Sequence, residues 1–251
     1  MDIANQSVLI PGGTSGIGLA CARAFVAAGA TVRIVGRNPE RGTAAAAELG
    51  PNAGFLQADC ADPAQVERMT AEAAASMGRI DTLICSLGGA RLPELLHRQS
   101  LDDIRVSLSH DVAPFLYAGR AVLPVMMAQG AGAVINVASD AGKIATPCES
   151  VIGAGMAAII QFTRGLAIEG KRNGIRANTL TPSLVEGTPL TGRLTAEGTF
   201  SARIFAKARP MAGLGATHPE DLAALAIFLA SPAATKITGQ AISINGGISA
   251  A

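Results

Sequence analysis

A handful of polar side chains in the middle of this chain have the types needed for proton transfer at a carbon–oxygen bond. Ser139 closes the apolar run Ala133 to Ala138 and could hold a substrate oxygen. Asp111, with His110 beside it, interrupts an otherwise apolar stretch, and either could carry a proton. Cys148 and Glu149 follow Ser139 closely, and Arg91 and His97 lie in the variable segment before Asp111. No Ser-His-Asp order and no His/Cys cluster with metal-ligand spacing can be assembled from these groups. Neither a nucleophilic triad nor a metal site is expected.

A second chemistry is written near the N-terminus, in Val8-Leu9-Ile10-Pro11-Gly12-Gly13-Thr14-Ser15-Gly16-Ile17-Gly18. Gly12 allows a sharp turn after an apolar strand, and Gly16 allows the backbone to approach a pyrophosphate. Gly18 lets the following helix pack closely. The free N–H groups at that helix start face phosphate charge, so Thr14, Ser15 and Ile17 join the glycines in one cradle. After the next apolar run comes Gly36-Arg37, where a dinucleotide's adenosine ribose would lie. An acid there would favour NAD(H). Arg37 instead suits a 2′-phosphate, which predicts NADP(H) as the preferred cofactor with NAD(H) possible.

Alternating strands and helices must position these groups. Strands are expected at Thr31–Val35, Phe55–Leu56, Asp81–Cys85, Ala133–Ala138, Ile175–Leu180 and Ala241–Ile244. Helices are expected at 39–49, 63–77, 101–129, 150–171 and 219–230, with a polar insert from Thr181 to about Gly215. That order predicts a single doubly wound parallel α/β domain, a Rossmann fold, over residues 1–251. Ligands of such a sheet bind beyond the carboxyl ends of its strands, which singles out Arg37, Asp59, Gly88, Ser139 and the insert.

Composition narrows the partners. The 251 residues carry a formal net charge of +1, with 3% aromatic residues and no Trp. No electrostatic field for nucleic acid or anionic lipid and no base-stacking platform is expected. The uncharged run Ala121–Ser139 is long enough to cross a bilayer, but Pro124, Gly130 and Gly132 break it into a helix end, a turn and a strand. Met1–Gln6 has no basic or apolar leader, and the four scattered cysteines suit reduced thiols, so a cytoplasmic protein is expected.

The glycine spacing resembles the short-chain dehydrogenase/reductase family, with Pro11 where Thr is usual. The resemblance continues in Asp59, in Asn178-Thr179-Leu180-Thr181-Pro182-Ser183, in Thr238-Gly239-Gln240 and in Asn245-Gly246-Gly247. It implies that Asp59, with Cys60 beside it, meets the adenine, and that Pro182, Val185 and Thr188 lie near the nicotinamide carboxamide. After the fourth strand the family's Asn-Asn-Ala-Gly reads Cys85-Ser86-Leu87-Gly88, so only Gly88 is kept for the cofactor. Relatives pair through the 150–168 helix and the long helix before it, which implies a homo-oligomer, a tetramer with twofold axes.

The family's chemistry needs a Tyr as acid/base, a Lys four residues later to lower its pKa, a Ser about thirteen residues before it, and an Asn on the preceding long helix. Counting from Ser139, the Tyr position is Ile152 and the Lys position is Met156, while Asn falls on Asp111, or on His110 if the register slips by one. Tyr117 is the one tyrosine and lies elsewhere. The resemblance therefore implies an NAD(P)(H)-dependent oxidoreductase whose catalytic centre, Ser139 and Asp111, lacks the acid/base pair. Its small-molecule substrate would be a largely apolar carbonyl or alcohol compound, met by Leu92, Leu95, Leu96, Leu184 and Leu190. Two alternatives stand: a non-redox enzyme using proton transfer, dehydration or cyclisation on the same fold, or a non-catalytic cofactor-binding subunit.

Overall fold

The computed structural model describes residues 3–89 and 91–251; Met1, Asp2 and Ala90 lie outside them. Seven strands form the sheet: β1 (Ser7–Pro11), β2 (Thr31–Gly36), β3 (Ala53–Gln57), β4 (Thr82–Cys85), β5 (Gly132–Val137), β6 (Ile175–Pro182) and β7 (Ala241–Ile244). Their order is β3-β2-β1-β4-β5-β6-β7, and every adjacent pair is parallel. The helices are α1 (Gly16–Ala27), α2 (Pro39–Leu49), α3 (Pro63–Met77), α4 (Leu101–Ser107), α5 (Ala113–Gln129), α6 (Ser150–Gly170), α7 (Pro189–Leu194), α8 (Phe200–Ala208) and α9 (Pro219–Ala230).

Both faces of the sheet are covered, which explains why β1 and β4 are apolar at successive positions rather than alternating. Leu9 packs on one face with Phe115, Met126 and Leu166. Its neighbours Val8 and Ile10 point to the other face, with Phe25, Leu222 and Leu229. All three are fully buried. Local chemistry starts α2 and α3 where the sequence predicts. Asn38 accepts from Arg41 N and Asp62 from Ala64 N, and Pro39 and Pro63 fill the first helical turn, where the missing N–H costs nothing.

The helix expected over 101–129 is divided. Between α4 and α5, Leu108–Val112 forms a π-turn immediately before Pro114. Pro114 has no N–H to donate to the carbonyl four residues back and its ring clashes with it, a clash that the wider turn relieves. The insert after β6 is also more ordered than its composition suggests, because Thr188 and Thr199 cap α7 and α8. Among the described residues one helical stretch, Ser150–Asn173, is long and apolar enough to cross a membrane. In the fold its Ile159, Ile160 and Leu166 are buried in the core.

Candidate active site at the crevice between β1 and β4

Strand order reverses between β1 and β4, leaving a crevice beyond their carboxyl ends. A cavity of about 620 Å³ opens there, within the range of small-molecule sites. The glycine-rich turn forms one side. Gly12 has φ 81°, and a Cβ on it would lie 2.0 Å from the Ser86 carbonyl oxygen, so β4 crosses directly against the turn. A Cβ on Gly18 would lie 2.3 Å from the Gly12 oxygen; its role is to let α1 close on the turn itself. Gly16 is different. Its φ is 53°, and a Cβ there would face Thr188 and Pro189 across the cavity, at 3.6 and 3.7 Å.

The fit to a dinucleotide rests on that cradle. Gly12, Ser15, Gly16 and Ile17 line the cavity, and Ser15 precedes α1 without a side-chain cap on its first N–H groups. The starts of helices α2 and α3, by contrast, are capped by Asn38 and Asp62. The uncapped start of α1 therefore offers donors and positive potential to an anion. Across the cavity stand Gly88, Pro182, Val185 and Thr188, all expected from the sequence. Thr14 lies under the turn, buried, where its Oγ1 accepts from Arg41 Nε at 3.2 Å.

Besides Thr14 and Gly18, three further expected cofactor residues stand outside the cavity lining. Arg37 is exposed at the end of β2, with its carbonyl accepting from Gln57 Nε2. Asp59 accepts from Ala61 N at 3.0 Å. Cys60 is buried, and desolvation, then the Asp59 carboxylate, push its thiol up to about 12 against the opposing pull of Arg37. Arg41, which the sequence reading missed, does line the cavity. The signal was its place on the first turn of α2, the helix that follows the expected ribose-binding strand end.

At the other end, Ser139, Asp111, Ile152 and Met156 meet in the same cavity. Ser139 is half-buried at the start of a short turn and accepts from Ala141 N at 3.2 Å. Of the two candidates on the π-turn, Asp111 is buried and lines the cavity, while His110 turns to Ser109 Oγ at 2.9 Å. A Cβ on Gly88 would lie 3.7 Å from Asp111 Oδ1, so the cofactor cradle and the polar end adjoin. Helix α6 is held against Ser139's turn by glycine. Cβ atoms on Gly142 and Gly153 would lie 2.9 Å from Met156 Cβ and 2.7 Å from the Ala141 oxygen.

Other candidates divide. Glu149 lines the cavity one turn before Ile152; burial raises its carboxyl above the usual range, and a Thr146 hydrogen bond opposes this. Cys148 is buried, holds φ 64°, and has its thiol pushed up to about 11 by desolvation and the Glu149 and Glu94 carboxylates. Arg91 lines the cavity but pairs with Asp103 at 2.9 Å; His97 does not reach it. Of the five leucines expected at the substrate, Leu190 lines this cavity and Leu92 a smaller adjoining one. Leu184 is instead buried and Leu96 exposed, and Leu95 lines neither cavity, because strand and turn direction aim them elsewhere. Among the described residues no group of three His, Cys, Asp or Glu could hold a metal.

Comparison with known proteins places this arrangement. A family model described as Enoyl-(Acyl carrier protein) reductase matches residues 12–249. A 3-oxoacyl-(acyl-carrier-protein) reductase of Chlamydia pneumoniae is 33% identical over 256 residues, covering 99% of each chain. Galactitol 2-dehydrogenase (L-tagatose-forming) of Cereibacter sphaeroides is 36% identical over 244 residues, covering 95% of this chain and 92% of its own. A short-chain type dehydrogenase/reductase from Mycobacterium ulcerans superimposes with a TM-score of 0.90 at 27% identity, over 99% of this chain and 91% of its own. Fold and site together define a nucleotide-binding oxidoreductase scaffold. The chain belongs to the short-chain dehydrogenase/reductase family.

Proposed function

We propose that this chain binds NADP(H) in preference to NAD(H) and is an oxidoreductase whose centre lacks the usual acid/base pair. The observation that carries the reading is the pairing, in one cavity, of an open phosphate cradle with Ile152 and Met156 beside Ser139. The cofactor, when bound, supplies or accepts hydride. Gly12, Ser15, Gly16 and Ile17 would hold its pyrophosphate, and Arg37 and Arg41 its 2′-phosphate. Among the described residues neither arginine has a carboxylate within ion-pair distance, so both are available to a phosphate. Gly36 supports the same preference: a Cβ there would lie 2.8 Å from Thr14 Cγ2, leaving no room for a ribose-binding acid without a shift.

At the polar end, Ser139 Oγ would hold a substrate oxygen, and Asp111 the neighbouring hydroxyl or water. Ile152 and Met156 hold no exchangeable proton, so reduction of a simple ketone is slow. Ile152, Met156, Leu190 and Phe205 around the cavity favour a largely apolar carbonyl or alcohol substrate. A second reading, proton transfer without redox change, is favoured by one observation: the half-buried Glu149 carboxyl in the same cavity. The reading extends to a cytoplasmic homo-oligomer, a tetramer, supported by Ile168, 64% exposed on α6. Titration with NADPH and NADH by fluorescence, followed by a ketone and alcohol panel, tests the function. No binding of either nucleotide defeats it. Turnover without net cofactor oxidation or reduction favours the second reading, and a monomer by light scattering removes the assembly.

A further inference from the structure

The segment after β7 returns to the cavity and is held there by a buried charged cluster. Asp140, next to Ser139, is 7% exposed and lines the cavity. Its carboxylate accepts from Ser243 Oγ at 3.2 Å and from Asn245 Nδ2 and Ser249 Oγ, and it pairs with Lys143 Nζ at 3.5 Å. Lys143 Nζ also donates to Ser243 Oγ and to the Ala251 backbone oxygen. Asn245 Nδ2 adds bonds to Ser249 Oγ at 2.9 Å and to the Ser249 oxygen at 3.2 Å. Between these anchors, Ile248 and Ser249 form part of the cavity wall that also holds Ser139.

The chemistry of the cluster is one-sided. Every partner of Asp140 is a donor, so the acceptor-only carboxylate is required there; an amide would aim N–H groups at other donors. Lys143, the lysine nearest in sequence to Ser139, is committed to this cluster and does not line the cavity. It does not stand in for the ammonium missing at Met156. We propose that residues 245–251 are a strap forming one wall of the substrate cavity, that Asp140 and Lys143 are positioning residues for it, and that Ile248 limits the size of substrate admitted beside Ser139. The size limit rests on reading the cavity as the substrate site; the strap and its anchors do not.

The test uses the full chain. Hydrogen exchange of the 246–250 amides is compared for wild type, Lys143→Met, Lys143→Arg and the milder Ser249→Ala. Lys143→Met is expected to speed exchange by about tenfold or more, Ser249→Ala less, and Lys143→Arg to restore protection, since a guanidinium can donate to the same oxygens. Binding of cyclohexanone and cyclododecanone, with NADPH present, is then followed by saturation-transfer NMR. Ile248→Ala should favour the larger ring by about tenfold relative to wild type. Unchanged exchange in folded Lys143→Met and Ser249→Ala overturns the strap, and an unchanged ring preference in Ile248→Ala overturns the size limit. A wild type that fails to bind NADPH defeats the proposed function instead, while the exchange comparison, which needs no ligand, still decides the strap.

Discussion

Arg41 Nε donates to Thr14 Oγ1 at 3.2 Å, tying the first turn of α2 to the glycine-rich turn before α1. This bond places the Arg41 guanidinium at the rim of the cofactor cradle. Arg41→Ala and Arg37→Ala are each expected to weaken NADPH by about 1–3 kcal/mol, with much smaller losses for NADH. Because Arg41 reaches the cavity and Arg37 stands outside its lining, the larger effect is expected at Arg41. Paired NADPH and NADH titrations check this; equal losses for both nucleotides would show that neither arginine reads the phosphate.

Restoring the missing acid/base pair should create chemistry. Ile152 and Met156 line the cavity with Ser139 already present, so Ile152→Tyr with Met156→Lys is expected to raise NADPH-dependent ketone reduction by about 10²–10⁴ over a barely active wild type. Either change alone should do far less, because the phenol depends on the ammonium and the two act as a unit. Robust wild-type turnover that survives Ser139→Ala would sink this account of the site.

Glu149 makes stability depend on pH in a definite direction. Burial, opposed by Thr146, raises its folded-state pKa above the unfolded value. The neutral carboxyl is therefore the form the fold favours, and that stability is present below the ordinary carboxylate pKa and lost as pH rises through the raised value. Glu149→Gln should melt higher than wild type at neutral pH, with the difference closing in acid. Thermal melts between pH 4 and pH 8, roughly the window over which a raised carboxyl titrates, measure it; a difference that widens in acid would reverse the sign.

Gly12 is predicted to tolerate no side chain. Its φ of 81° disfavours L residues, and a Cβ would lie 2.0 Å from the Ser86 oxygen, a backbone atom just past the end of β4 that no side-chain rotation can move. Gly12→Ala should cost about 3 kcal/mol or more and abolish nucleotide binding. By contrast Gly16→Ala, whose Cβ would meet Thr188 and Pro189 only at ordinary contact distances of 3.6 and 3.7 Å, should fold and lose nucleotide affinity selectively. Melts and NADPH titrations of both variants separate the two roles.

The sequence by itself determined the order of the strands and of most helices that cover them, because apolar runs without alternation can be buried only in a sheet covered on both faces, but not the break between α4 and α5 or the helices α7 and α8 of the insert. It also determined the glycine cradle and the capped starts of α2 and α3, which depend on neighbours within a few residues. Counting along the chain located Ser139, Ile152 and Met156, since one strand end and one helix fix their spacing. Tertiary structure decided what crosses between elements. On the π-turn before Pro114, Asp111 and not His110 lines the cavity. Folding of α2 against the turn brought Arg41 to Thr14, and the return of the chain after β7 set Ser249 against Asp140 and put Ile248 in the cavity that holds Ser139, more than a hundred residues away in sequence. Contacts of that range leave no periodicity or motif to read, because they are set by where two elements meet and not by what either one is.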